Sequence, residues 1–299
     1  MRANSIKLKE NIAGWLFCLP LVIGLIGFTV LPMILSLMFS FWNYSGFTAP
    51  TPAGFANYAK ILTDKEMGKV VTNTLLYTFI SIPFNLVLSY LLAWLVNREA
   101  KGVKAFRVIY YLPVMIPAVV SGLIWKDMFG ATFGIFNKVL GMFGSGSKFF
   151  NSPQTSVAMP SIFLMSLWGL GGGMILWLAA FKNIPKTLYE AASLDGAGAM
   201  RKFVMITIPL STPMIFFNIV MSFIGTLQYN GTLTFAPNDG KGVENSVFMY
   251  ALKIYFEAFR RDNLGYASAL AWVLLIVIAL ITALLFSTHK KWVYYREDV

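Results

Sequence analysis

The chain contains one cysteine, Cys18, and one histidine, His289. So few leave no disulfide framework and no Cys- or His-rich metal site. Only 12% of its residues are charged, against about a quarter in a soluble globular protein. No GxxxxGK[ST] occurs, so the chain has no P-loop of its own for ATP. The lone histidine lies in the C-terminal tail, so an intramembrane serine nucleophile would have no base to activate it. Apart from Arg107 at the start of the third, none of the six longest apolar stretches contains Asp, Glu, Lys, Arg or His. Proton- and sodium-coupled carriers usually place such a group at membrane depth. Backbone carbonyls of broken helices can bind sodium instead. An ion-coupled secondary transporter of a small polar solute, working without an ATPase, therefore stays open as the alternative reading. No repeat of 20–50 residues is visible.

What is present is apolar. Hydrophobic residues make up 57% of the 299, and the mean hydropathy is +0.67. The apolar stretches cover about residues 12–42, 70–96, 106–125, 158–181, 203–228 and 265–287. Each reaches or approaches the ~20 helical residues that cross a ~30 Å hydrocarbon core. In lipid a helix satisfies its own backbone, and the alternating pattern of a membrane barrel is missing. The expected fold class is an all-α membrane protein of six transmembrane helices. The first stretch is too long for a signal-peptide core and reads as a retained span.

Six spans place both termini on one side. If segments 1–11, 97–107, 182–202 and 288–299 face inward, they hold fourteen of the 24 Lys and Arg in far fewer residues than loops 43–69, 126–157 and 229–264. The positive-inside rule then puts both termini in the cytoplasm. The net charge of +11 comes from bases that flank apolar runs, which suits a lipid bilayer and not nucleic acid. Trp42, Tyr44, Trp125 and Trp292 fall near span ends, as interfacial aromatics do. The outer loops carry turn chemistry in "TAPTPAG", "GMFGSGSK" and "APNDGKG".

"GLGGG", Gly169 to Gly173, lies inside the fourth stretch and follows no strand, so close packing or local unwinding is expected there. Polar residues in or beside the spans are candidates for a substrate route: Asn73, Asn85, Ser89, Asn218, Ser222, Gln228, Tyr229 and Asn230. Asn218, Ser222 and Tyr229 are spaced to share one helix face. Interhelical hydrogen bonding accounts for such residues equally well. Trp168 and Trp177 are read as packing residues.

Between the fourth and fifth stretches the chain reads "IPKTLYEAASLDGAGAMRKFVMITIPLSTP". Pro185 suits a helix entry, Thr187 and Glu190 stand in capping-box spacing, and Asp195-Gly196 is a stop signal. A second short run follows from Ala197 to Val204. Pro209 and Pro213 mark the entry and an early kink of the fifth span. The expectation is a compact helical knob at the cytoplasmic membrane surface.

This segment, loop 185–209, resembles the EAA loop of permease subunits from binding-protein-dependent ABC importers. Glu190, Ala191 and Ala192 are followed by Gly196 and then by Ile206, Thr207, Ile208 and Pro209 in the family's spacing, with Ile for Leu at 208. "GFANYAKIL", "NTLLYT", "FRVIYYLPVMIPAVVSGLIWKDMF" and "LGYASALAWVLLIV" are similar to the carbohydrate branch of maltose- and glycerol-3-phosphate-type permeases. Where that branch often carries Gly-Gly-Pro after the fifth span, this chain has "TFAPNDGKGVENS".

The resemblance implies the type I importer architecture with a cytoplasmic coupling helix, in a bacterial inner membrane. It implies a second homologous permease, with a heterodimer favoured, and two ATP-binding cassette subunits. An external solute-binding protein would deliver a sugar or oligosaccharide. No cofactor belongs to the chain, since Mg-ATP sits on the partners. It implies that Glu190, Ala191, Ala192, Asp195, Gly196, Ile206 and Pro209 couple to the ATPase. Glu190 would act by charge, Gly196 would supply the turn, and the alanines would allow close approach.

Overall fold

The computed structural model describes residues 2–97, 101–130, 133–142, 149 and 152–294. The expected turn after Met142, the basic residue Arg98 and the last five residues of the C-terminal tail lie outside the described residues.

Fifteen helices occur among the described residues. The chain begins with α1 (Arg2–Leu25), which passes through a π turn at Ile26–Val30 into α2 (Leu31–Ser40). Then come α3 (Ala56–Thr63), α4 (Met67–Val96), α5 (Val103–Tyr111) and α6 (Ala118–Met128). They are followed by α7 (Ile135–Met142), α8 (Thr155–Trp168), α9 (Leu170–Lys182) and α10 (Lys186–Leu194). The rest are α11 (Ala199–Lys202), α12 (Ile208–Leu210), α13 (Thr212–Leu227), α14 (Tyr250–Phe259) and α15 (Leu264–Thr288). Strand structure among the described residues is one two-residue antiparallel pair, Trp42–Asn43 with Thr51–Pro52.

Three helical runs, Ala13–Ser40, Met67–Val96 and Leu264–Lys291, are long and apolar enough to cross a membrane unbroken. Three more spans arise if each bent helix pair counts as one, with bends of 97° before α6, 45° between α8 and α9, and 65° between α12 and α13.

Each bend has a local cause. Ile116 precedes Pro117 and is forced into extended backbone, φ −77°, ψ 128°. Gly169 leaves helical geometry between α8 and α9, φ −85°, ψ 6°. At the third bend Pro213 has no N–H for the carbonyl of Pro209. The Thr212 hydroxyl donates to that carbonyl at 2.7 Å, and it accepts the backbone N–H of Tyr294 at 2.9 Å. The π turns Ile26–Val30 and Phe203–Thr207 each end two residues before a proline, Pro32 and Pro209. A wider turn relieves the clash between the proline ring and the carbonyl four residues earlier.

The chain divides into two units, one of residues up to Asp64 with Ile254–Val273, the other of Lys65–Lys253 with residues from Leu274 onward. In the first, Asn57 donates to the carbonyls of Ser40 and Trp42 at 3.0 and 2.9 Å, closing the end of α2. Tyr58 and Ser40 share a hydroxyl hydrogen bond of 2.8 Å. Gly265 lets the backbone of Trp42 pass where a Cβ would lie 2.0 Å from its carbonyl oxygen. The Tyr266 hydroxyl donates to the Asp64 carboxylate at 2.8 Å. Asn57 and Tyr58 of "GFANYAKIL" and Gly265 and Tyr266 of "LGYASALAW" thus help to hold this unit together.

In the second unit α4 packs against α8, α9 and α13. Its core centres on Tyr90, whose ring lies 5.0 Å from Trp177, 5.1 Å from Phe181 and 5.7 Å from Phe203. Trp177 donates its indole N–H to Ser89 at 2.9 Å. Gly171 lies so close to α5 that a Cβ would sit 1.9 Å from the carbonyl oxygen of Tyr110. The glycine run thus both breaks a helix and seats it, with Gly171 making the tightest approach. The same unit buries an ion pair, Lys253 to Glu66 at 2.7 Å, with the lysine side chain fully covered.

Candidate functional site

The segment after α9 folds as an elbow. Pro185 is the N-cap of α10, with φ −58° and ψ 130°, and no side chain caps the helix. The capping box expected of Thr187 and Glu190 is not formed, because the proline starts the helix and Thr187 is already inside it. The C-terminus is a Schellman motif. The N–H of Ala197 donates to the carbonyl of Ala192 at 2.8 Å, and that of Gly196 to Ser193 at 3.1 Å. Gly196 adopts φ +75°, a left-handed conformation that suits glycine. The spacing of "EAA" to Gly196 is therefore the spacing of a helix end to its closing turn. The expected second run is shorter, α11, and gives way to the π turn at Phe203–Thr207.

The elbow has two faces. Outward, Glu190, Ala191 and Asp195 are exposed, and Leu194 is 90% exposed. Leu188 and Met200 are exposed beside them. Inward, Tyr189 and Ile206 pack on the Tyr90–Trp177–Phe181 core. The Tyr189 and Thr207 hydroxyls share a hydrogen bond of 2.9 Å, and Lys202 donates to Ser193 at 2.5 Å. Ala192 is half-buried at the motif, and Pro209 lies half-buried in the first turn of α12. α10 is thus packed on the core formed by α4 and α9 and hydrogen-bonded to the π turn that precedes α12.

Deeper in the same unit lies a cavity of about 430 Å³. Five aromatic residues line it: Tyr77 of α4, Trp125 of α6, Trp168 at the end of α8, and Tyr229 and Phe235 after α13. Tyr77 and Tyr229 stack at 4.7 Å, and Trp125 meets Trp168 edge-on at 5.4 Å. The indole N–H of Trp125 is buried and has no hydrogen-bond partner among the described residues. Ser121, Asn230 and Thr234 add polar groups to the wall. Aromatic faces with a few polar groups are what a sugar requires.

Of the residues expected along a substrate route, Tyr229 and Asn230 line this cavity. The others lie elsewhere. Asn73 donates to the carbonyls of Asn245 and Phe248 at 2.9 and 3.1 Å and latches a loop. Asn85 bridges α4 to α8 through Ser166 at 3.0 Å. Asn218 turns back on Met214 at 2.9 Å. Ser222 is half-buried within α13, and Gln228 is exposed at its C-cap. Tyr229 lies beyond the end of α13 at Leu227, so it does not share a helix face with Asn218 and Ser222. Tyr77, Trp125 and Trp168 were not expected in a binding role; each sits in an apolar run, where an aromatic residue ordinarily signals packing.

Comparison with known proteins bears on the family and the fold. The sequence model of the family described as "Binding-protein-dependent transport system inner membrane component" matches residues 85–291. A probable ABC transporter permease protein, YesP, of Bacillus subtilis (strain 168) is 36% identical over 303 residues, covering 99% of this chain and 96% of that one. The lactose transport system permease protein LacF of Rhizobium radiobacter is 28% identical, covering 96% and 97%. A chain from the crystal structure of a bacterial alginate ABC transporter with its oligosaccharide-bound periplasmic protein superposes with a TM-score of 0.84. It is 22% identical, covering 95% of this chain and 96% of that one, which speaks to the fold. This chain belongs to the family of binding-protein-dependent transport system inner membrane components, the permeases of ABC importers.

Proposed function

We propose that the chain is the pore-forming subunit of an ATP-driven importer for a sugar or oligosaccharide. A solute-binding protein delivers the cargo from outside, and separate cytoplasmic ATPase subunits supply the energy. The observation that carries this reading is the elbow. An acidic and apolar helix face, Glu190 with Ala191 and Leu194, is left uncovered by this chain, while the opposite face is seated on the core that joins α4 to α9. A nucleotide-driven movement of a docked ATPase reaches the spans through that core.

The sugar assignment draws on the aromatic cavity and on relatives named for lactose and for multiple sugars. The positive-inside bias supports cytoplasmic termini and a cytoplasmic elbow, with a tail at 1–11, six spans over 12–287 and a tail at 288–299. Across Ala13–Ser40 none of the most apolar window is buried by this chain. Lipid and a second permease, different from this one, would cover it.

The test is a Glu190→Ala, Gly196→Ala double variant assembled with its partner subunits. Uptake should fall about tenfold or more, the range of a coupling energy of 1–3 kcal/mol, while membrane insertion and assembly persist. Normal uptake with this variant refutes the proposal.

A further inference from the structure

A second cavity, of about 740 Å³, opens where α4 ends, α5 begins and α9 meets α10. Five cations line it: Lys101, Lys104, Arg107, Lys182 and Lys186. Among the described residues, none that lines it is acidic. Two helices also start there, α5 after Gly102 and α10 after Pro185, and neither has a side-chain cap. Their first N–H groups and positive dipole ends add to the field of the lysines. Arg107 is fixed in place, donating from Nε and Nη2 to the carbonyl of Val96 at 3.1 and 2.6 Å. The floor is apolar, built from Phe181 and Ile184 of the core. A concave site of one charge sign over a low-dielectric floor concentrates counter-ions.

We infer that this cavity binds the phosphate group of an anionic phospholipid. The depth favours a lipid over a soluble ion. α4 and α9 are membrane-crossing elements that end at its rim, at Val96 and Lys182, so the cations sit at headgroup level. Leu95, Phe106, Val108 and Ile109 are exposed next to it and offer apolar surface to acyl chains. Basic pockets between spans are the sites that hold such headgroups. Because Lys186 and Tyr189 belong to the elbow, a bound lipid links the root of α10 to the ends of α4 and α5. The inference concerns only what fills this cavity and holds whatever solute the permease carries.

The experiment is a lipid titration of the full chain, purified in neutral detergent and read by native mass spectrometry. The probes are phosphatidylglycerol, phosphatidylcholine and inorganic phosphate, and the comparison is with K104Q/K182Q/K186Q. At about fivefold per cation, phosphatidylglycerol should bind the triple variant roughly hundredfold more weakly, and phosphatidylcholine should bind both proteins alike and weakly. Equal phosphatidylglycerol binding by variant and native chain overturns the proposal. So does full displacement of the lipid by equimolar inorganic phosphate, which would assign the site to a soluble anion. Should the variant fail to fold, a photoactivatable phosphatidylglycerol on the native chain decides: crosslinks within 101–107 or 182–189 are expected, and crosslinks confined elsewhere refute it.

Discussion

The hydroxyl of Tyr189, on the elbow helix, lies 2.9 Å from that of Thr207, in the π turn that leads into the fifth span. This bond joins the inward face of the helix a partner would push to the segment that would move. Removing it with Tyr189→Phe keeps the ring on the core and deletes one hydrogen bond, worth about 1 kcal/mol. Uptake per ATP hydrolysed should fall several-fold with little change in the amount of protein in the membrane. Thr207→Val should do the same, and the double variant should be no worse than either single one. Additive losses in that cycle would show that the two hydroxyls act separately.

Gly196 offers a cleaner test of the turn. Its Cβ position is open space, with nothing within 4 Å, and its φ is +75°. A substitution there is therefore penalised by backbone strain alone. Gly196→Ala should cost about 1 kcal/mol, and Gly196→Asn less, since Asn tolerates the left-handed region better. Thermal melts of the purified chain should rank native above Asn above Ala. Equal melting of all three would show that the turn opens without penalty.

Asn73 and Trp125 should separate structure from transport. Asn73→Ala removes two donors from buried carbonyls and should cost about 2 kcal/mol, lowering the melting temperature and leaving the solute preference unchanged. Trp125→Phe keeps the stack on Phe129 and Phe136 but removes an N–H that has no described partner. It should leave stability unchanged or slightly raised, because the deleted N–H is buried without a described partner, and should raise the KM for uptake, because the ring is part of the cavity wall. A fall in stability with unaltered KM would return Trp125 to a packing role.

Lys253 and Glu66 form the buried ion pair of the second unit, the carboxylate side chain being 24% exposed. Lys253→Met removes the cation from a site built for it and should destabilise by about 3 kcal/mol. Combining it with Glu66→Gln should restore part of that loss. If the double variant melts below the single one, the pair is not the source of the penalty.

Cys18 is the one cysteine, so Cys18→Ser with Ala191→Cys provides a single label site on the elbow. An impermeant thiol reagent should label that cysteine in inverted vesicles and leave it unlabelled in intact cells. Labelling in intact cells would place the elbow outside and overturn the coupling scheme.

Much of the fold was legible because charge is excluded from apolar runs and collects between them. The elbow was legible too: the EAA spacing encodes a helix end closed by Gly196, and Pro209 and Pro213 announced a break that falls at Ser211. Other breaks were harder to read. Pro113 and Pro117 sit in a run that looks continuous, yet the chain bends there by 97°. Thr187 and Glu190 have the spacing of a cap, but spacing does not reveal that Pro185 has already opened the helix. The aromatic cavity was least visible. Tyr77 meets Tyr229 and Trp125 meets Trp168 only once distant helices are packed, and nothing local distinguishes a ring facing a cavity from a ring facing a core. Asn73 and Asn85 show the converse, since polar residues in spans bond to loops and neighbouring helices before any solute arrives.

Thr212 ties two distant parts of the chain to one oxygen atom, which caps the carbonyl freed by Pro213 and receives the N–H of Tyr294. Trimming the C-terminus back past that residue would therefore slacken a bend more than eighty positions upstream. A change of backbone at Tyr294 is thus felt at the bend between α12 and α13.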